Sequence, residues 1–457
     1  MSKGSIVDFT QGDIARSMFL FTLPIILGEL LQNLYNSVDA LVVGNFIGEN
    51  ALAAVVVCSM ISNIVISFFN GMSVGANVVV SKAFGAGDAE ALRLTVRHTF
   101  SFAVLLGFFL SILGILFSPQ LLMITGAKEE YYAEAISYLR VYLAGLMFTV
   151  IYNNGAGILR AIGDTRTPFL ILLTSCVVNI CLDLLFVKTF QLDVFGAGLA
   201  TVFSQGLSVA LVYRAINARL NDRCINFLDI FQNGGGTVRA VLDIGFSAGV
   251  QNALVSFSNI FIVQYMNWFD TAAVAGIGIA QRLDKFILLP AKAFGITITT
   301  YVSQNLGAGR YDRLRMGKNR CIMLAMTVTV GLSVLVFLFS RNVVAIFNSN
   351  PDVVAVGEAM MHAIIPFFWI VSLREIFLGI LRGYGKARIP MLLAVLNMVV
   401  LRQIFLAVSM RINPTIENIF VCYPLTHVTT ILSILGYWGA VKKNLVGLGR
   451  ARKSYYT

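Results

Sequence analysis

The sequence predicts an all-α polytopic membrane protein of twelve transmembrane helices in two pseudo-symmetric six-helix lobes, and three observations carry that reading. The chain of 457 residues is 57% hydrophobic and only 12% charged. A soluble domain is about 25% charged and could not hide so much apolar surface. The apolar residues gather into twelve stretches long enough to cross a bilayer. The chain also repeats itself. VSKAFGAGD at Val80 to Asp88 returns as VSQNLGAGR at Val302 to Arg310, and ILRAIGDTRTP at Ile158 to Pro168 returns as ILRGYGKARIP at Ile380 to Pro390. Both copies are shifted by the same distance along the chain, the mark of a duplicated six-helix unit. With six spans per unit the halves insert the same way up, which predicts a parallel repeat with a cavity between the lobes.

Thr10 and Asp13 read as a capping box that opens the first helix. The spans then run over 16–43, 51–75, 94–117, 132–158, 168–189, 195–216, 240–266, 273–300, 319–340, 354–381, 389–410 and 416–440. The polar segment 217–239, with its Gly234-Gly235-Gly236 run, is the natural linker. It divides an N-terminal lobe, 1–216, from a C-terminal lobe, 240–440, which is followed by a tail, 441–457. Basic residues crowd the termini and alternate loops, while the opposite loops hold only Lys128, Lys188, Arg341 and Arg411. That bias places both termini in the cytoplasm. Met1 to Gly12 lacks the apolar core of a signal peptide, so the first span is expected to act as an uncleaved anchor in the plasma membrane.

Composition excludes several classes. The net charge of +11 lies between apolar spans, as in cytoplasmic loops, and does not form a nucleic-acid surface. The six cysteines have no CxxC spacing and mostly lie in apolar spans, so they read as small buried hydrophobes. Three scattered histidines without HExxH argue against zinc, and no cofactor is expected. The duplicated Gly-Ala-Gly loops, with no GxxxxGK, are tight turns and not phosphate cradles. Gly85-Ala-Gly-Asp88 matches the GxGD of intramembrane aspartyl proteases, but it sits in a polar loop and its repeat copy carries Arg310 in place of Asp88. The chain is therefore read as a transporter and not an enzyme.

Polar groups at membrane depth are expensive and mark function. In the first span Glu29, Gln32, Asn36 and Asp39 fall within an arc of about 80°, and Pro24, about four turns before Asp39, supplies a hinge. In the fifth span Ser175, Asn179 and Asp183 share one face. Rise per residue puts Asp39 about 35 Å from Arg16 and Asp183 about 22 Å from Pro168, with Tyr138 and Thr201 about 10 Å from the outer ends of their spans. Four helices of the first lobe thus bring polar groups to one depth. Two acids in one low-dielectric pocket cannot both ionise cheaply, so the pocket should bind a proton or another cation near neutral pH. In the second half Asp39, Asn179 and Asp183 correspond to Phe261, Leu401 and Phe405. That half instead carries Arg282, Asp284, Lys285 and Lys292 in the eighth span, Arg374 and Glu375 in the tenth and Arg402 in the eleventh, where ion pairing and cavity lining are equally consistent with the sequence.

The sequence resembles the multidrug and toxic compound extrusion (MATE) transporters, in their bacterial DinF/MepA-like branch. The residues that carry the resemblance are Leu23-Pro24, Asp39 with Val43-Gly44, Gly71 to Asp88, Leu159 to Thr165, Asn179 with Asp183, and the second-half copies. It covers essentially the whole chain. It implies a multi-pass protein of the bacterial inner membrane, acting as a monomer, that exports small cationic amphipathic drugs by proton or sodium antiport. It further implies a first-lobe cation site at Asp39, Tyr138, Asn179, Asp183 and Thr201, with a bend at Pro24 and cavity groups at Gln32 and Asn153. Any sodium would sit at Asp39 and Asp183. The acid that some relatives carry in the seventh helix is missing from Gln251 to Ser258, which favours coupling through the first lobe. A lipid-linked sugar flippase is the alternative within the same superfamily, but it would call for a more cationic cavity than this stripe offers.

Overall fold

The computed structural model describes residues 6–125, 129–220 and 235–453, with side chains throughout except at 35–41, 49, 50, 52, 124 and 443–453. Among the described residues the chain is helical without strands. The spans are α1 (Ile14–Phe46), α2 (Glu49–Ala86), α3 (Ala89–Leu116), α4 (Glu129–Ala144 with Leu146–Ala161), α5 (Arg166–Thr189) and α6 (Asp193–Leu220) in the first repeat. In the second they are α7 (Gly235–Met266), α8 (Thr271–Gly307), α9 (Tyr311–Leu338), α10 (Pro351–Gly383), α11 (Arg388–Ile412) and α12 (Ile416–Lys453). Eleven are single helices or runs long and apolar enough to cross a bilayer, and the bent pair of α4, turned by 43°, makes the twelfth. The twelve predicted spans are therefore all present.

Local chemistry sets the ends. Asp13 caps α1 by accepting from the Arg16 amide at 2.7 Å. The predicted Thr10–Asp13 box is corrected, because Thr10 instead bonds Asp8 through its amide and its hydroxyl. Burial works against the Asp8 carboxylate, yet hydrogen bonds from Gln11 and Thr10 and the nearby Arg313 charge outweigh it and lower its pKa. Of the cysteines, Cys58, Cys176, Cys321 and Cys422 are buried, while Cys181 is exposed. Cys224 lies outside the described residues.

The duplication is visible as recurring contacts. Ser81 Oγ donates to Ala161 O at 3.4 Å, and at the same places in the second repeat Ser303 Oγ donates to Gly383 O at 3.3 Å. Asn77 with Gly157 and Thr299 with Gly379 repeat the pattern one turn earlier. The turns repeat as well: Gly87 and Gly309 have φ of 75° and 64°, and Gly163 and Gly385 have 91° and 81°. A side chain at these left-handed positions would strain the backbone, which explains why both glycine motifs survived the divergence of the halves.

By internal contacts the chain forms two compact units. Unit 1 comprises Met1–Val7 and Leu23–Gly249, and unit 2 comprises Asp8–Thr22 and Val250–Thr457. The changeovers fall inside α1 and α7, away from the 217–239 segment, most of which lies outside the described residues. Each unit takes in the opening stretch of the other repeat's leading helix, up to Thr22 of α1 and up to Gly249 of α7. In unit 1 the α7 stretch around Gly245 and Gly249 packs so closely on Gly71 and Gly75 of α2 that no Cβ fits at these positions. In unit 2 the Thr22 hydroxyl of α1 meets Thr297 of α8 at 2.7 Å. The N-terminal approach is fixed in unit 2 as well: Phe9 is buried against Phe21 and Tyr301, and Arg313 donates to the carbonyls of Phe9, Gln11 and Gly12. Each unit has its own apolar core, around Leu139, Leu143 and Val150 in unit 1 and around Ile277, Phe368 and Leu406 in unit 2.

Candidate functional site

The candidate site in unit 1 is built on α5. Asp164, just before that helix, accepts from the Thr167 amide and hydroxyl and pairs with Arg219 at 2.6 Å, which ties the start of α5 to the end of α6. From this fixed end Ser175, Asn179 and Asp183 follow at one-turn intervals and are all buried. Burial of three successive polar side chains on one helix face is possible because α6 carries small buried residues along this stretch, including Ala200, Ser204 and Ser208.

Packing contacts give the depth of each group. Ser175 Oγ and Ser208 Oγ lie 2.6 Å apart. Because α5 and α6 are antiparallel with equal rise, Asn179 is level with Ser204, and Asp183 with Ala200 and Thr201. Gly198, less than a turn from Thr201, faces Tyr138 of α4: a Cβ there would stand 3.7 Å from the Tyr138 ring. Tyr138 is buried and stacks on Tyr142 with ring centroids 6.3 Å apart. Thr201 Oγ1 donates to Ala197 O at 3.2 Å. Asp183 and Thr201 thus share one level, with Asn179 about one turn to one side of it and Tyr138 packed against α6 less than a turn to the other.

Two contacts set the register of α1 beside α5. Gly28 faces Phe169 and Leu172, and the Phe46 ring lies under Lys188 Nζ at 5.5 Å. Both contacts correspond to nearly the same offset between the two helices, so the backbone of Asp39 is level with Cys181 to Asp183 and that of Asn36 with Asn179. The Asp39 and Asn36 side chains lie outside the described residues. Gln32 is half-buried at about the level of Ser175.

Other expected groups stand apart. Asn153 is about 22 Å along α4 from Tyr138, past the bend, and its Nδ2 donates to Thr149 O at 2.9 Å. Glu29 lies within electrostatic range of Arg160 and Tyr152. At the repeat positions Arg382 Nη2 donates to Gln251 Oε1 at 3.2 Å, so Glu29 and Arg160 stand where the second repeat holds a hydrogen-bonded pair. Asp284 and Glu375 are in unit 2, where Glu375 accepts from Arg374 at 2.8 Å. Pro24 sits next to the changeover in α1.

The chemistry of the level is that of oxygen ligands. Asp183 is 0% exposed and Asn179 is 1% exposed. Neither amide atom of Asn179 has a hydrogen-bond partner among the described residues. A buried amide left this way costs about 1–3 kcal/mol, which a ligand at the site would offset. A carboxylate, an amide oxygen, a hydroxyl and a phenol suit a proton or a hard cation. Among the described residues no three His, Cys, Asp or Glu side chains cluster as a transition metal would require. Straight after Asp183, α5 winds into a π-turn over Leu184–Thr189, with Phe190 N bonding Leu185 O at 2.9 Å. Such insertions mark functional sites and re-aim the residues beside them. Helical spacing reveals the α5 stripe but not its contact with Ser208, which only the small-residue pattern of α6 could have signalled.

The MatE family model matches residues 24–185 and again 248–408, one match for each repeat. The probable multidrug resistance protein YpnP of Bacillus subtilis is 29% identical over 406 residues, covering 88% of this chain and 89% of the relative. The multidrug export protein MepA of Staphylococcus aureus is 22% identical, covering 87% and 88%. Among solved structures, a MOP superfamily transporter from Pyrococcus furiosus shares the fold with a TM-score of 0.87 at 22% identity, covering 98% of this chain and 99% of that one.

Proposed function

Because the chain belongs to the MatE family, we propose that it is a secondary antiporter that exports organic cations in exchange for protons, or for sodium, taken up at the unit 1 site. The reading places the protein in a bacterial inner membrane as a monomer with both termini cytoplasmic. The relatives named as multidrug resistance and export proteins support drugs as cargo. The observation that carries the proposal is Asn179 and Asp183 buried one turn apart on one face, with Thr201 level with Asp183 and Tyr138 packed on α6 less than a turn away. A carboxylate buried at membrane depth is costly when charged, so it favours holding either a proton or a cation. Exchange follows if the coupling ion and the cargo each remove the same charge, since the two then compete. Alternating access requires the site to bind its ion more tightly in one state than in the other, with Pro24 as the hinge.

Lipid vesicles containing the purified protein, loaded with a cationic dye and driven in turn by a pH step and a sodium step, test this. One of the two steps accelerates efflux in the wild type, and neither does so in Asp183→Asn. Gradient-driven efflux at the wild-type rate in that variant would remove the site from the mechanism.

A further inference from the structure

Unit 2 holds a basic network that cation exchange in unit 1 leaves unused. Arg402 of α11 is 2% exposed, and its Nη1 donates to Asn259 Oδ1 at 3.1 Å. Its Nε and Nη2 find no acceptor among the described residues. These two nitrogens form one edge of the guanidinium plane, and their parallel N–H groups match the two oxygens of a carboxylate or a phosphate. Arginine does not shed its proton in a protein, so the edge is a permanent, buried cationic fork.

A second buried guanidinium stands near it. Arg374 of α10 donates through Nη2 to Glu375 at 2.8 Å and through Nη1 to His427 of α12 at 2.8 Å. Arginine has no acceptor, so His427 Nδ1 must accept and the ring is neutral with its proton on Nε2. Arg374 Nε, like the Arg402 edge, has no acceptor among the described residues. The two guanidinium groups are within electrostatic range of each other and of His427. Asp284 is in range of Lys285, Lys292 and Arg374. Arg382 is in range of both Arg374 and Glu375, so the cations outnumber the two carboxylates, of which Glu375 is already engaged by Arg374. Apolar side chains lie among these groups, with Met398 Sδ 3.4 Å from Arg374 Nη1 and Leu406 buried one turn after Arg402, while Tyr423, which accepts from Gln281, is a further polar neighbour of Arg402.

We propose that the Nε/Nη2 edge of Arg402, with Arg374 beside it, is an oxyanion-binding site that takes the carboxylate or phosphate of an anionic amphiphile. The apolar side chains favour an alkyl-bearing anion over a hydrated inorganic one, because the tail offsets the desolvation of the charged group. The site lies wholly within unit 2 and does not depend on the coupling chemistry of unit 1. A π-turn over Leu396–Leu401 directly precedes Arg402, as one follows Asp183, and sets where that side chain points along α11.

The test is thermal unfolding of the full-length protein in a neutral detergent, titrated with dodecyl phosphate and, separately, with inorganic phosphate. A third arm measures by native mass spectrometry the phosphatidylglycerol retained from nanodiscs, which separates a lipid source from a soluble one. Dodecyl phosphate, retained phosphatidylglycerol or both are expected to engage the wild type saturably, with inorganic phosphate at least tenfold weaker. Arg402→Lys keeps the charge without the fork and shifts the midpoint at least tenfold. Arg402→Gln abolishes the response. Three results would overturn the proposal: no saturable response of the wild type to either amphiphile, inorganic phosphate binding as well as dodecyl phosphate, or Arg402→Lys matching the wild type. Should Arg402→Gln not fold, the wild-type titration and Arg402→Lys still decide.

Discussion

Unit 1 and unit 2 descend from one repeat, keep the same turns and side-chain contacts at matching positions, and carry opposite charge at corresponding helices. In unit 1, α5 buries Asn179 and Asp183. In unit 2, α11, its counterpart, buries Arg402, which stands at the repeat position of Ile180 beside Asn179. What survived in both is the backbone device: small residues where helices touch and left-handed glycines at the turns, whereas the π-turn beside each functional side chain stands at a different repeat position in the two units. The fold is therefore the shared inheritance, and the ligand chemistry is whatever each unit places beside the π-turn. Glu29 and Arg160, which lie within electrostatic range of each other, occupy the repeat positions of Gln251 and Arg382, which are hydrogen-bonded.

The comparison breaks most decisively at the acids. Asp39→Asn is expected to cut cationic dye efflux from cells to the level without the protein, at least tenfold, while the purified variant stays monodisperse. Persistence of efflux would mean that the polarity of unit 1 is not what drives exchange. A smaller effect is expected in unit 2. Arg402→Met removes a buried charge without a full set of acceptors, and with no anion added it should raise unfolding stability by about 1 kcal/mol; a lower melting temperature would make Arg402 a structural residue. The smallest effect belongs to Glu29→Gln, which converts unit 1 to the pairing that unit 2 already uses. Dye efflux should change less than twofold, and a loss comparable to that of Asp39→Asn would move Glu29 into the coupling site.

Most of the fold could be read from the sequence because bilayer-length apolar runs and a fixed repeat distance are local or periodic signals. The α5 stripe of Ser175, Asn179 and Asp183 was readable for the same reason, since helical spacing alone puts those residues on one face. The changeovers inside α1 and α7 were not, because they depend on close packing of Gly71 and Gly75 against Gly249 and Gly245, residues far apart in the chain. The cap at Asp13 was misjudged because Thr10 had a nearer acceptor in Asp8. Nor could spacing tell which charges of unit 2 were satisfied. Glu375 and Arg374 are sequence neighbours and do pair, but the open edge of Arg402 follows from the reach of Asn259 across from α7. The π-turns were invisible as well, since an extra residue in a helical turn leaves the apolar pattern nearly intact.

The central claim, that cargo and coupling ion compete for the acid of unit 1, is tested most directly by ion release. Excess cationic dye is added to purified protein in a weakly buffered solution, with a pH indicator for protons and, in sodium-equilibrated protein, a sodium electrode. The account predicts release of one of these ions on dye binding to the wild type and none from Asp183→Asn. Dye binding without release of either ion, or equal release from the variant, would contradict it.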